Sequence, residues 1–145
     1  MRKLFWGGIH PEGHKDLSRG AAPVPAPLPA QVVLPMLQHI GAACTPVVKV
    51  GDQVRLGQKI GDGEGVCAPI HASVSGKVVA VEPRPHPNGQ DVLSVVIEND
   101  YMDTPDDTLK PHLTHKDLSA EEILRVIRDA GIVGMGGATF PTDVK

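Results

Sequence analysis

The residues of this chain that are best placed to do chemistry form a glycine-rich loop near its C-terminal end. The stretch GIVGMGGATFPTDVK covers residues 131–145, and four glycines, at 131, 134, 136 and 137, fall within seven residues. Because glycine has no side chain, such a loop can turn tightly or approach a ligand with its backbone. Phosphate binding and a tight turn into a following element are therefore its two interpretations.

This loop does not match the phosphate-binding loop of nucleoside triphosphatases. That motif ends in Lys followed by Ser or Thr at a fixed spacing, and no such pair follows Gly137. A helix C-terminal cap would account for Gly131. It would not explain the later glycines, the Phe-Pro pair after them or Lys145. A binding role is therefore favoured.

Other residues with chemical potential stand at spacings that do not support a site. Asp62 and Glu64 supply too few oxygens for calcium, which takes about six to eight ligands. Ser73 and Ser75 lack the Gly-x-Ser-x-Gly turn of a serine nucleophile. The sequence predicts no catalytic side chain.

The histidine pairs are predicted to be solvated. Metal binding would need His10 with His14, or His112 with His115, on one helix. Pro11 and Gly13 break the first stretch, and Pro111 stands directly before the second. We therefore predict no metal site.

The chain has two cysteines, Cys44 and Cys67, and no Cys-x-x-Cys motif. This usage favours buried, reduced thiols in a reducing compartment. A disulfide or a lone metal ligand is the alternative.

Composition and charge exclude several function classes. The net charge of −3 and the aromatic content of 3% give neither a basic footprint nor stacking platforms for nucleic acid. Apolar runs reach about four residues, far below the ~20 of a membrane-spanning helix. The N-terminus lacks the apolar segment of a signal peptide. The cytosol, with docking on a membrane partner as an option, is the expected location.

Four segments follow from composition and pattern. Residues 1–30 form an extended Pro-rich arm that is either a linker or packed, with Phe5 and Trp6 as anchors in the packed case. Residues 31–100 are short β-type runs with frequent turn signals, including Asn88-Gly89, which predicts a hairpin. The predicted interior residues are Val50, Val54, Ile60, Val78 and Val79.

The remainder divides into a polar linker, residues 101–118, and a helix with the glycine-rich loop, residues 119–145. Ser119 and Glu122 form a capping box, and Gly131 suits the C-terminal cap. The expected apolar face of the helix consists of Ile123, Leu124, Val126, Ile127 and Ala130.

The central stretch VVKVGDQVRLGQKIG, followed by APIHASVSGKVVAVE, resembles the biotinyl/lipoyl family and its barrel-sandwich relatives. A carrier domain of that family presents a lysine at a hairpin tip for covalent attachment. No lysine lies between Ile60 and Gly76. Only the fold is therefore carried over, and the swinging-arm function is excluded.

Several motifs in order give a more specific resemblance. The stretches FWGGIHPEGHK, LPMLQHIGAACTPVVKVGDQV, APIHASVSGKVVAVEPRPHPNG, SVVIEND and RDAGIVGMGGATFPTDVK together resemble the N-terminal part of the C subunit of the Rnf ion-translocating electron-transport complex. The resemblance implies a mainly β, barrel-sandwich hybrid domain. The helix and glycine-rich loop after it would begin an α/β domain that binds FMN and NADH.

The resemblance also implies a function. Proteins of this family are peripheral subunits on the cytoplasmic face of the bacterial inner membrane, and they pass electrons between NADH, FMN and [4Fe–4S] clusters beside other subunits of the complex. The cysteine-rich cluster motifs are absent from this sequence. We expect the parent protein to be an NADH-linked translocase subunit. This chain, as a truncated part of it, is expected to have no turnover and no tightly bound cofactor.

The same resemblance supplies candidate site residues. In the related flavoprotein subunit of complex I the loop reads G-R-G-G-A-G-F-P-T-G-L-K. The match implies that backbone lines the flavin and its phosphate, and that a lysine pairs with the phosphate, at Gly134, Gly136, Gly137, Ala138 and Lys145. Met135 replaces the arginine of that pattern and Thr139 replaces a glycine.

Two other functions remain open. One is a non-catalytic barrel-sandwich module that docks redox or membrane partners through edge strands or the Pro-rich arm. The other is an adaptor of the membrane-fusion type, which the missing export signal and coiled-coil hairpin disfavour.

Overall fold

The structure, a computed structural model, describes Gly8, residues 11–109 and residues 118–144. Within these residues the elements are β1 Gln31–Pro35, β2 Thr45–Pro46, β3 Gln53–Val54, β4 Lys59–Asp62, β5 Ile70–His71, β6 Gly76–Pro85, β7 Asp91–Asn99, helix α1 Ala120–Asp129 and a 3-10 turn Thr142–Val144. The expected mainly β fold is confirmed. The predictions for Phe5, Trp6, His10, His112, His115 and Lys145 fall outside the described residues.

The strands form two antiparallel sheets. One has the order β1-β7-β6-β3 and the other the order β2-β4-β5. Strands β6 and β7 form the predicted hairpin, paired down to Pro85 and Asp91. Its loop is closed by the His86 amide, which donates to the Gln90 carbonyl at 3.0 Å, and Gly89 takes the positive φ of 85° that the turn needs.

A small aliphatic core lies between the sheets. Its buried members are Met36, Cys44, Val54, Ile60, Cys67, Ile70, Ala72, Val74, Val78, Val95 and Ile97. The predictions for Val54, Ile60 and Val78 are confirmed.

Two predicted core residues are not buried. Val50 is 59% exposed because it precedes Gly51 in a turn, which the Lys49 amide closes on the Asp52 carboxylate. Val79 is half-buried and lies where the pairing of β6 with β7 shifts register, between Val78 and Ala80. The shift is a β-bulge, which redirects side chains locally.

Gly76 allows the two long strands to approach closely at the start of β6. Its φ is 150°, and a Cβ there would lie 1.9 Å from the Glu98 carbonyl oxygen. A larger residue would separate β6 from β7 at that point.

Helix α1 has the predicted termini. The Ser119 hydroxyl accepts from the Glu122 amide at 3.3 Å, and the Glu122 carboxylate accepts from the Ser119 amide at 2.7 Å. After the helix, Gly131 takes a φ of 66°. The capping box and the glycine stop are confirmed.

The expected apolar face of α1 is only partly covered. Ile123 and Ile127 are half-buried, whereas Leu124 and Val126 remain 47% and 51% exposed, and Ala130 is exposed as well. A polar side chain, Arg128, links the helix to the strand-rich part of the chain, residues 31–99, called the β-domain below, through hydrogen bonds to the Cys67 and Gly63 carbonyls.

The described part of the N-terminal arm, residues 11–30, is exposed throughout. Its end is tied to the sheet by Asn99, whose side-chain amide donates to the Pro29 carbonyl at 3.0 Å and whose backbone amide donates to Ala30 at 2.9 Å. Among the described residues, no helix is both long and apolar enough to span a bilayer.

Candidate cofactor-binding loop and its supports

The glycine-rich segment forms a closed loop whose two ends are paired. Val133 and Pro141 form an antiparallel bridge, and the Gly134 amide donates to the Phe140 carbonyl at 2.9 Å. One step further out, the Thr142 amide donates to Ile132 at 3.0 Å. Residues 135–139 are thereby presented as the tip of a structured turn.

The tip of this loop offers backbone amides to solvent. Gly136 and Gly137 are exposed, and a Cβ at either would meet no atom of the described residues within 4 Å. Among the described residues, the amides of 136, 137 and 138 have no hydrogen-bond acceptor. Successive unpaired amides in a turn can bind an anion, and the missing side chains leave room for a large one.

Thr139 adopts a left-handed backbone conformation with φ 51°. This region favours glycine and is unfavourable for β-branched residues. The hydroxyl of Thr139 donates to the Ala138 carbonyl at 2.7 Å. Thr139 thus adopts a left-handed conformation that a glycine would adopt without strain.

The loop is anchored on the β-domain through the segment between β1 and β2. The Ile40 amide donates to the Ala138 carbonyl at 3.0 Å. A cavity of about 270 Å³ lies beside this contact, lined in part by His39, Ile40, Ala138 and Thr139. The carbonyl of Ala138 thus faces the protein.

Arg128 joins α1 to the β-domain, and the sequence interpretation missed it. Its guanidinium donates to the Cys67 carbonyl and to the Gly63 carbonyl, both at 2.9 Å. It also lies 3.8 Å from the Asp62 carboxylate and 3.6 Å from the Asp143 carboxylate. The fork of an arginine suits two carbonyls at once. Nothing in the local sequence signals the two carbonyl partners, which are 61 and 65 residues away.

The end of α1 lies against β5. A Cβ on Gly131 would lie 2.3 Å from the Pro69 carbonyl oxygen and 3.3 Å from the His71 ring. Burial lowers the pKa of His71, and the nearby Lys59 ammonium lowers it further. His71 is therefore neutral at pH 7.

A second group of polar side chains lies inside the β-domain. Ligand atoms of His39, Cys44 and Cys67, all buried, lie within 4.8 Å of one another. No fourth His, Cys, Asp or Glu joins them among the described residues. The expectation that both cysteines are buried is confirmed.

The structure therefore brings together Gly134, Gly136, Gly137 and Ala138 in one loop, with three of the four at its exposed tip. Lys145 lies just outside the described residues. Their assignment to a flavin and its phosphate stays a prediction.

The two sheets, the glycine turns and the small aliphatic core define a barrel-sandwich hybrid domain. A family model described as the RnfC barrel sandwich hybrid domain matches residues 3–102. The chain belongs to the RnfC family.

Similar proteins carry the same assignment. The chain is 54% identical to the C subunit of the Na(+)-translocating ferredoxin:NAD(+) oxidoreductase complex of Acetobacterium woodii, over 97% of this chain and 32% of the relative. It is 45% identical to the C subunit of the proton-translocating ferredoxin:NAD(+) oxidoreductase complex of Clostridium ljungdahlii, over 100% of this chain and 32% of the relative. It is also 45% identical to the C subunit of the ion-translocating oxidoreductase complex of Rhodobacter capsulatus, over 96% of this chain and 27% of the relative. The chain thus spans about a third of the length of these relatives.

Proposed function

We propose that this chain contributes to an electron-transfer subunit of an ion-translocating oxidoreductase complex, where electrons pass between NADH, FMN and iron–sulfur clusters. The relatives are subunits of complexes named for ferredoxin:NAD(+) oxidoreduction and ion translocation. The observation that carries the proposal in this chain is the exposed loop tip, where the amides of residues 136–138 have no acceptor within the described part of the structure.

In this proposal the loop binds the phosphate end of FMN. Gly136 and Gly137 allow the backbone to approach the ligand, since no atom of the described part of the chain occupies the space where their side chains would be. The amides of 136–138 donate to phosphate oxygens, and the Lys145 ammonium supplies a counter-charge. Bound FMN would supply hydride acceptance and single-electron transfer.

The loop residues orient the cofactor and do no proton chemistry. Gly134 fixes the base of the loop through its bond to Phe140. Arg128 fixes α1, which precedes the loop, on the β-domain. Both roles are positional, because a flavin site depends on holding the ring at the correct distance from its electron partners.

The [4Fe–4S] clusters are proposed to lie outside this segment. Cluster ligation takes four thiolates in closely spaced cysteine runs, and this chain has only Cys44 and Cys67. The partners would be NADH and the other subunits of a membrane complex. A peripheral position on the cytoplasmic side of the bacterial inner membrane fits this role.

A titration of the purified chain with FMN tests the proposal, with quenching of flavin fluorescence as the signal. We expect saturable binding that Lys145→Ala weakens about tenfold or more, as loss of a charge-assisted bond to phosphate would. Lys77→Ala, at an exposed position of β6, is the matched control and should bind as the unaltered chain does. Binding that Lys145→Ala leaves unchanged, or equal weakening by both variants, would contradict the proposal.

A second function is supported by the arm. Val24 is 83% exposed and Leu28 is 69% exposed in a Pro-rich extended strip, the kind of segment that partner grooves bind. A non-catalytic interaction module would therefore dock redox or membrane partners through residues 21–29. Loss of co-purification with partner subunits on deletion of these residues, together with no FMN binding, would favour this second function.

A further inference from the structure

The two cysteine side chains of the β-domain meet inside it. The Cys44 Sγ and Cys67 Sγ atoms lie 3.1 Å apart. Ordinary van der Waals contact between heavy atoms is about 3.5–4.0 Å, and a disulfide bond is about 2.05 Å. The two sulfurs are therefore already in contact, and a shift of about 1 Å would bring them to bonding distance.

Both ring nitrogens of the neighbouring His39 are hydrogen-bonded to backbone groups. The Nε2 atom of His39 accepts from the Ala68 amide at 3.0 Å, and Nδ1 donates to the Ile40 carbonyl at 3.1 Å. A metal ion would have to displace the first of these bonds. Structural zinc also takes four protein ligands, and only three side chains converge among the described residues. The geometry favours a thiol pair over a metal centre.

The hydrogen bonds of the pair connect it to the surrounding strands. The Cys44 thiol donates to the Ala68 carbonyl at 3.2 Å. Cys67 is fully buried, yet residues 64–66 directly before it are exposed. Opening of this short surface segment would uncover Cys67 without unfolding the sheets.

We propose that Cys44 and Cys67 are a modification site that forms a reversible intramolecular disulfide by exchange with low-molecular-weight disulfides. The Cys67 thiolate attacks one sulfur of the disulfide RSSR, which gives a mixed disulfide and releases RS⁻. The Cys44 sulfur then attacks the Cys67 sulfur, the second RS⁻ leaves, and each released thiolate takes one thiol proton. The balance is two protein thiols plus RSSR to one protein disulfide plus two RSH.

The same environment sets the speed of this exchange. Burial raises the pKa of Cys44 to about 12, and its bond with Cys67 contributes in the same direction. Because the thiolate is the nucleophile, Cys44 attacks the mixed disulfide slowly in the closed fold, and full burial of Cys67 keeps the oxidant from the first thiol. Exchange therefore follows the opening of residues 64–66.

The disulfide would affect how α1 is attached to the β-domain. Arg128 donates to the carbonyls of Gly63 and Cys67, so both ends of the segment that opens are attached to the helix. Cross-linking Cys67 to Cys44 fixes this segment and with it the support under α1. The redox state of the pair would then set how firmly the helix is held.

The test incubates the fully reduced chain with oxidised glutathione, and intact mass is measured before and after. We expect a product that has lost two hydrogen atoms and carries no glutathione. Its Tm should be about 5–10 °C higher, since closure of a 23-residue loop restricts the unfolded chain. Dithiothreitol should reverse both changes.

Cys44→Ser and Cys67→Ser are the matched controls. Neither can close the ring, so Cys44→Ser should accumulate a single glutathione adduct at Cys67 and show no rise in Tm. In the unaltered chain, failure to oxidise, or a stable glutathione adduct in place of the disulfide, would overturn the proposal. So would a zinc ion retained at one per chain that protects both thiols, which would make the cluster a metal site.

Discussion

Thr139 has a backbone conformation that is unfavourable for its own side chain. Its φ of 51° is a conformation that a β-branched side chain adopts at a cost of about 1–2 kcal/mol. The loop keeps this conformation, with its base paired through Gly134 and Phe140. The turn is therefore specified by its neighbours and not by the preference of Thr139 itself.

At this position we predict that Thr139→Gly raises the free energy of unfolding by about 0.5–1 kcal/mol, because glycine adopts the left-handed region without strain. Urea unfolding followed by circular dichroism measures the change. Ala138→Gly is the control. The neighbour has no positive φ, so added chain entropy should lower its stability slightly. A loss of stability in Thr139→Gly would contradict the strain argument.

His71 predicts a pH dependence of stability. Burial, then the Lys59 ammonium, lower its pKa, although its bond to the Asp129 backbone acts in the opposite direction. As the pH falls, His71 is therefore protonated at a higher pH in the unfolded chain, where the pKa of a histidine is about 6.5, than in the folded chain. Stability should fall as the pH drops from about 6.5 towards the lower folded-state pKa.

Thermal unfolding across that pH range measures the effect of His71. A His71→Gln variant should lose this part of the pH dependence, because its side chain stays neutral. If the variant and the unaltered chain lose stability in parallel, other groups cause the dependence and the assignment to His71 is wrong.

At the scale of elements, the attachment of α1 depends on a few specific contacts. Its apolar side chains bury little, with Leu124 and Val126 about half exposed. Arg128 and Gly131 provide the close contacts with the β-domain. A helix of ten residues is marginal in isolation, so these contacts decide whether it stays formed.

We predict that Arg128→Met lowers the free energy of unfolding by about 2 kcal/mol. The substitution keeps much of the side-chain length but leaves the Gly63 and Cys67 carbonyls without their donors. Amide hydrogen exchange in α1 should accelerate accordingly. Arg125→Met, at an exposed position on the same helix, is the control and should change stability little. Similar exchange rates in the two variants would contradict the role of Arg128.

Gly131→Ala should be destabilising by about 1–2 kcal/mol or more. Its φ of 66° disfavours a Cβ, and that Cβ would lie 2.3 Å from the Pro69 carbonyl oxygen. Gly136→Ala is the comparison, since a Cβ at Gly136 would meet none of the described residues within 4 Å and its φ is not positive. Chemical unfolding should give a change within about 0.5 kcal/mol for Gly136→Ala. Equal losses in both variants would contradict this account.

At the scale of the whole molecule, short sequence motifs predicted the helix and the hairpin. Contacts between residues far apart in sequence determine how these elements pack. The Asn88-Gly89 turn and the Ser119–Glu122 capping box depend on residues a few positions apart, so the sequence contains them in full. Val50 is exposed because of its place in the turn before Gly51. The alternation of apolar and polar residues along the sequence does not indicate this exposure.

The candidate site follows the same division. The glycine spacing identified the loop, because close backbone approach needs glycine at particular positions. The contact of Cys44 with Cys67 and the bonds of Arg128 join residues 23 and about 60 positions apart. Such contacts depend on how the two sheets pack against each other, and a single sequence does not reveal that packing.

The most direct test of the central claim compares FMN with riboflavin, which differ only in the phosphate. If the amides of residues 136–138 and Lys145 recognise phosphate, the chain should bind FMN at least about tenfold more tightly than riboflavin, a difference of about 1.4 kcal/mol. Gly136→Ala should reduce that ratio, since its methyl group enters the space left for the ligand. Equal affinity for the two flavins, or a ratio unchanged by the substitution, would contradict the claim that this loop is a flavin-phosphate site.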